Sequence, residues 1–200
     1  KRTVFYQQNL QREHLQMETP SFKDFIDGLE LQININDVQP DQLPRIAQLT
    51  QRTNQFNLTT IRRSESDIET FCRQQDADCL SVEVADRFGD YGLVGAALFE
   101  TREAALVVDT FLLSCRVLGR GVEDAIIKHL AQIAQTRNLD RVHLTFRKTE
   151  RNQPALAFLE RIGSDHKEEQ NGALRFLLTV EHILNLPSFA DMTDRAIDPT

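Results

Sequence analysis

Arg116-Val117-Leu118-Gly119-Arg120-Gly121 is the stretch on which the fold turns. It follows an almost wholly apolar run, Ala105 to Leu113, which predicts a central strand buried on both faces. Behind it, Val122, Ala125, Ile126, Leu130, Ile133 and Ala134 recur at helical spacing, with Glu123 and Asp124 in the first turn, where the helix dipole favours them. Glycines at a strand-to-helix turn let the backbone approach a ligand closely. The helix N-terminus then presents unpaired N–H groups to an anion such as a phosphate. A plain tight turn would use the same glycines, so the pattern alone leaves both readings open.

Downstream, Val142, Leu144 and Phe146 alternate with His143, Thr145 and Arg147 as a strand, and Asn152-Gln153-Pro154-Ala155-Leu156-Ala157-Phe158-Leu159-Glu160-Arg161-Ile162-Gly163 follows as a helix led by asparagine and closed by glycine. This order of strand, R-x-x-G-x-G loop, helix, strand and Asn-led helix resembles the GNAT acyltransferase superfamily over roughly residues 32 to 180. The resemblance implies an α/β (α+β) fold with a mixed, mostly antiparallel central sheet flanked by helices. It implies that Arg116, Leu118, Gly119, Arg120, Gly121 and Val122 hold the pyrophosphate of acyl-CoA or the phosphopantetheine of a carrier protein. The arm would lie in the split between the strand before the loop and the strand after the helix, with Asn152 orienting the last helix beside it.

Three further segments, Thr53-Asn54-Gln55-Phe56-Asn57-Leu58-Thr59-Thr60, Asp86-Arg87-Phe88-Gly89-Asp90 with Gly92-Leu93-Val94-Gly95, and Ser114-Cys115-Arg116-Val117-Leu118-Gly119-Arg120, resemble the C-terminal half of FkbH-like proteins. These fuse a HAD-type phosphatase-like domain to a GNAT-like domain. The family loads a glyceryl unit derived from 1,3-bisphosphoglycerate onto the phosphopantetheine thiol of an acyl carrier protein in polyketide biosynthesis. No D-x-D-x-[TV] phosphatase motif occurs in the sequence, so the phosphatase-like half is an expected partner and its chemistry is not assigned here.

Cys115 is the candidate nucleophile. It stands beside a glycine-rich helix N-terminus and next to Arg116, an electropositive setting that favours a thiolate able to carry a glyceryl thioester. His143, off the apolar face of its strand, is the candidate base. Asp109, a carboxylate inside Val107-Val108-Asp109-Thr110-Phe111, must be paired or hydrogen-bonded if buried; it either binds hydroxyls of the acyl group or holds an arginine. Asn54, Asn57, Thr59 and Thr60 form a polar cluster suited to glyceryl hydroxyls, although Asn and Thr also serve turns and caps. Two alternatives to glyceryl transfer stand beside it: a non-catalytic module that docks the carrier protein, and a CoA-dependent N-acetyltransferase.

Composition narrows the remainder. Two hundred residues with 40% hydrophobic content suit one domain, expected over 32–182, with a helical approach segment at 1–31 and a linker at 183–200. The net charge of −7 argues against a nucleic-acid partner. No apolar run is long enough for a membrane span and no signal peptide is visible, so a cytoplasmic protein is expected. Cys72, Cys79 and Cys115 lack paired C-x-x-C spacing; reduced thiols are expected, with Cys72 and Cys79 as packing residues, and no metal site. The opening on Lys and the unpatterned end predict a piece of a longer polypeptide. Ser66 to Glu69 has capping-box spacing and predicts a helix over 65–75.

Overall fold

The apolar run Ala105 to Leu113 is β4, at the centre of a seven-stranded sheet. This computed structural model describes residues 2–187. The strands are β1 (Gln32–Asp37), β2 (Ala77–Asp86), β3 (Gly89–Arg102), β4 (Ala105–Leu113), β5 (Arg141–Phe146), β6 (Lys167–Gln170) and β7 (Ala173–Thr179), in the order β1-β2-β3-β4-β5-β7-β6. Only β4 and β5 are parallel, because a helical crossover joins them; the other neighbours are antiparallel. The helices are α1 (Arg2–Glu18), α2 (Phe22–Leu29), α3 (Leu43–Arg52), α4 (Glu65–Cys72), α5 (Val122–Thr136), α6 (Gln153–Gly163) and α7 (Val180–Leu184). The mixed, mostly antiparallel sheet flanked by helices is the architecture expected from the sequence.

Alternation within the strands supplies two apolar faces. On one, Ile46 and Leu49 of α3 and Ile68 and Phe71 of α4 pack over Ala96, Leu98 and Leu112. On the other, Ile126, Ile127 and Leu130 of α5 and Leu159 and Ile162 of α6 cover Leu106, Val108, Val142 and Leu144. The cap of α4 lies two residues before the expected one. Ser64 Oγ accepts the Asp67 N–H at 3.2 Å, and the Asp67 carboxylate accepts the Ser64 N–H at 2.7 Å.

One irregularity in β4 shapes the site. Leu98 pairs with Thr110 and Phe99 with Val108, so Asp109 is an extra residue, a β-bulge. The β4–β5 ladder runs from Ala105↔Arg141 to Val108↔Leu144 and stops at that bulge. Beyond it the two strands part.

Near both ends of the described residues the chain packs on the sheet. α1 docks onto the β2–β3 turn through Arg12, only 4% exposed, whose Nε and Nη2 grip the Asp86 carboxylate at 2.6 and 2.8 Å. α7 carries a fully buried Ile183, and Leu184 and Leu186 pack on the same core. Residues 188–200 of the expected linker lie outside the described residues.

The thiols differ from expectation. Cys72, closing α4, and Cys79, in β2, form a disulfide with their Cα atoms 5.8 Å apart, leaving Cys115 as the free cysteine. The turn from α4 into β2 brings them together, which no C-x-x-C spacing announced. Among the described residues no helix is long and apolar enough to cross a membrane, and no group of three or more His, Cys, Asp or Glu is placed to hold a metal ion.

Candidate active site at Cys115

β4 ends at Leu113, and the chain leaves the sheet in a short 3-10 turn, Cys115–Val117. Val117 is buried and acts as the pivot, which turns Cys115 outward as an exposed thiol. Its neighbours Ser114 and Arg116 line, with it, a cavity of about 570 Å³ that α3 and the chain after it wall off. Arg45, Gln48 and Arg52 project from α3, Asn54 and Gln55 from the following segment, and Arg151 from the turn before α6. Four arginines and one thiol therefore line a single cavity, and no carboxylate stands among the described lining residues. Burial, and then the charges of Arg116 and Arg52, push Arg45 below its ordinary value, as expected where like charges are crowded.

Of the sequence candidates, Cys115, Arg116 and Asn54 meet at this cavity, and Thr60 lines a second one of about 410 Å³ with Arg62, Thr149 and Arg151. Arg45, Arg52 and Arg151 were not among the candidates. The first two were legible as a polar stripe, since Arg45, Gln48 and Arg52 follow one another at i, i+3 and i+7 beside the buried Ile46 and Leu49. Nothing local marks Arg151.

The glycine loop has the backbone that its sequence requires. Gly119 at φ 70° and Gly121 at φ 81° are in the left-handed region that disfavours any side chain. One of its N–H donors, however, is met from within the chain. The Gly119 N–H donates to Glu123 Oε1 at 2.8 Å, and that carboxylate, 6% exposed, is raised above its ordinary value chiefly by burial. Arg120, expected on a phosphate, turns back to Tyr91, whose hydroxyl it meets and which in turn donates to Asp86 at 2.7 Å. The buried Asp86 carboxylate attracts it away from solvent; Arg120 Nη1 lies 3.9 Å from it. Leu118 packs on the core and Val122 is buried, so the part expected of them falls to their backbone N–H groups and not to their side chains.

The split between β4 and β5 is also filled. Residues 56–59 run along the β4 edge beyond the bulge: the Leu58 N–H donates to Phe111 O at 3.1 Å, the Leu113 N–H to Phe56 O at 2.9 Å, and Asn57 bridges antiparallel to Leu112. On the far side the Arg147 N–H donates to Leu58 O at 2.8 Å, tying the segment to the end of β5. Asn57, Thr59 and Asn152, expected on substrate or on the arm, serve this wedge instead. Asn57 Nδ2 donates to Thr53 O and its Oδ1 accepts the Thr60 N–H; Thr59 Oγ1 donates to Asp109 O. Asn152, fully buried, donates to Asn57 O at 3.2 Å and Arg147 O at 2.9 Å and accepts the Thr149 N–H at 2.8 Å. Their polar atoms are committed to the fold because the wedge needs buried partners. Phe56, Phe111 and Phe158 stack edge-on beneath it, with centroids 5.2 to 6.0 Å apart.

His143 and Asp109 lie away from the thiol. His143 pairs with Val107, six residues before the end of β4, so it sits about 20 Å down the strand from the Cys115 turn and is not the base for that thiol. Burial, then the charges of Arg175 and Arg141, push its imidazole below the ordinary value, favouring the neutral form. Asp109 pairs with Arg63 and accepts the Thr110 hydroxyl at 2.7 Å. Of its two sequence readings, the structure has the arginine.

No family model matches the sequence, and no curated protein does. Solved structures match in fold. The ribosomal-protein-S18-alanine N-acetyltransferase of Escherichia coli is 14% identical with a TM-score of 0.53, covering 74% of this chain and 94% of its own. Spermidine N-acetyltransferase of Vibrio cholerae, solved with CoA and spermine, is 15% identical with a TM-score of 0.53, covering 77% and 99%. A domain from Methanocaldococcus jannaschii is 9% identical with a TM-score of 0.56, covering 75% and 99%. These likenesses, with the seven-stranded, mostly antiparallel sheet flanked by helices, show that the chain has the GNAT fold.

Proposed function

We propose that the domain is an acyltransferase in which Cys115 Sγ takes up an anionic acyl group of the phosphoglyceryl type and passes it to the thiol of an acyl carrier protein. The observation that carries this reading is the free, exposed Cys115 thiol opening into a cavity lined by Arg45, Arg52, Arg116 and Arg151. Guanidinium groups bind phosphate and carboxylate oxygens through paired N–H donors, and an anion relieves their mutual repulsion. The FkbH-like resemblance supplies the acyl group, a three-carbon unit activated as an acyl phosphate.

The chemistry balances without a further reagent. The Cys115 thiolate attacks the acyl carbon, the carbon–oxygen bond to phosphate breaks, and inorganic phosphate leaves with the electron pair. The thiol proton passes to solvent, since neither His143 nor Asp109 reaches the sulfur. The carrier thiol then attacks the thioester and Cys115 Sγ departs as the thiolate. This exchange is nearly isoenergetic because one thioester replaces another. The arginines hold the acyl group and its charge; the HAD-type domain expected beside this one would act on the phosphate ester.

A second reading, a non-catalytic docking module for the carrier protein, is favoured by the filled split and by the Gly119 N–H that Glu123 occupies. The N-acetyltransferase activity of two of the structural neighbours is supported for this chain by fold alone, and the wedge weighs against it. The reading through Cys115 is tested by alkylation rates. At low salt Cys115 should react with anionic iodoacetate, relative to neutral iodoacetamide, roughly tenfold faster than free cysteine does, and both salt and Arg52→Gln should erase the advantage. A ratio equal to that of free cysteine contradicts an anion site at this thiol.

A further inference from the structure

A coenzyme arm lying in the split between β4 and β5 would need the edge groups of β4 beyond the bulge. Those groups are taken by the chain itself. Phe111 O and Leu113 N–H are bonded to Leu58 and Phe56, Asp109 O to the Thr59 hydroxyl, and the opposite rim of the split to Leu58 O through the Arg147 N–H. Asn152 holds Asn57 O from below. Phe56 and Leu58 are each 1% exposed, inserted among Phe111, Phe158 and the neighbouring core. At the second part of such a seat, the glycine loop, the Gly119 N–H is likewise answered from within. The Glu123 carboxylate accepts the Gly119 N–H, and its Oε2 is buried with no hydrogen-bond partner. The residues present therefore do not fit an acyl-CoA or phosphopantetheine arm in the split.

We infer that residues 56–59 are a built-in strand that permanently replaces the coenzyme arm, with the Glu123 carboxylate standing in for its phosphate, so that this domain is a coenzyme-independent form of its fold. The two replacements are separate in sequence: one fills the split, and the other takes the Gly119 N–H at the glycine loop. Withdrawing the wedge would break five hydrogen bonds, those of Leu58 N–H, Phe56 O, Leu58 O, Thr59 Oγ1 and Asn57 O, and would expose two core side chains. It is a structural joint, not a lid. Any thiol or electrophile that meets Cys115 reaches it through the arginine cavity, from the side of α3. This inference does not depend on what Cys115 does, since it concerns the opposite route.

Backbone amide exchange on the intact chain, with and without desulfo-CoA, tests it; the desulfo form avoids reaction with Cys115 or with the disulfide. The amides of Leu58 and Leu113 should exchange as slowly as those of the β3–β4 ladder, and millimolar desulfo-CoA should leave the Leu58 rate unchanged within about twofold or slower. Binding of its phosphates to the arginine cavity alone would leave Leu58 closed and agree with the inference. Leu58 exchanging at the speed of a surface loop would overturn it. So would a coenzyme-induced rise in the Leu58 rate, because an arm cannot enter without releasing that N–H.

Discussion

Asn152→Ala isolates the joint on which the site geometry rests. Its side chain is fully buried and makes three hydrogen bonds, to Asn57 O at 3.2 Å, to Arg147 O at 2.9 Å and from the Thr149 N–H at 2.8 Å. Truncation leaves all three main-chain partners without it, at about 1 kcal/mol each, or about 3 kcal/mol in total. For a chain of this size that corresponds to a fall in Tm of about 6–12 °C. Urea unfolding monitored by circular dichroism gives the free energy, and amide exchange shows where the loss falls. The Leu58 and Leu113 amides should lose protection while those of the β2–β3 ladder, remote from Asn152, keep theirs relative to global unfolding. Asn152→Asp should be no milder, because it keeps the acceptor for Thr149 but loses both donors. A loss below about 1 kcal/mol for Asn152→Ala, or a loss of protection spread evenly over the sheet, would refute the wedge as a distinct, side-chain-pinned element.

Glu123 gives a pH signature. Its carboxyl is raised above 4.5, chiefly by burial, so its stabilising effect is complete below that pH and is lost as pH rises through the raised value. Glu123→Gln should therefore gain stability on the wild type as pH climbs from 4.5 towards 8, and a pH-independent difference would contradict the assignment. Arg12→Ala strands Asp86 inside the β2–β3 turn and should cost about 3–5 kcal/mol, with α1 released to fast exchange; a change below about 1 kcal/mol would mean that α1 is not held by this pair. Replacing Cys72 and Cys79 by alanine opens a loop of sequence separation 7, for which chain entropy gives about 2.4 kcal/mol, so Tm should fall by about 5–10 °C. An unchanged Tm would contradict that cross-link.

What the sequence revealed, and what it concealed, follows from the range of the forces involved. β4, the glycine turn and α5 were legible because each is set locally: a continuous apolar run, glycines at positive φ and a 3.6-residue stripe. α1 shows no such stripe. It is glutamine-rich and is held by one buried ion pair whose partner lies 74 residues away. β6, Lys-Glu-Glu-Gln, is exposed throughout and exists only as an edge partner of β7. At the site, Cys115 and Arg116 follow from the turn they occupy, and their cavity has residues of α3 as its far wall. The polar cluster at 54–60 was visible, but which members face a ligand was not. The Asn57 side chain is taken up locally, by Thr53 O and the Thr60 N–H, as its turn-forming residue type allows, whereas Thr59 donates to Asp109 O of β4, a tertiary contact that residue type does not encode. Arg120 likewise follows the buried charge of Asp86, fixed by a turn 34 positions earlier in the chain.

The central claim is that Cys115 carries the acyl group. Intact-protein mass spectrometry after incubation with 1,3-bisphosphoglycerate, with a HAD-type phosphatase-like partner supplied in trans, reads this directly. The account predicts a hydroxylamine-labile glyceryl or phosphoglyceryl adduct on the wild type that is absent from Cys115→Ala and is discharged by a carrier-protein thiol. Acylation of the carrier that proceeds undiminished with Cys115→Ala, with no adduct on the wild type, would contradict it and leave the domain as a docking module.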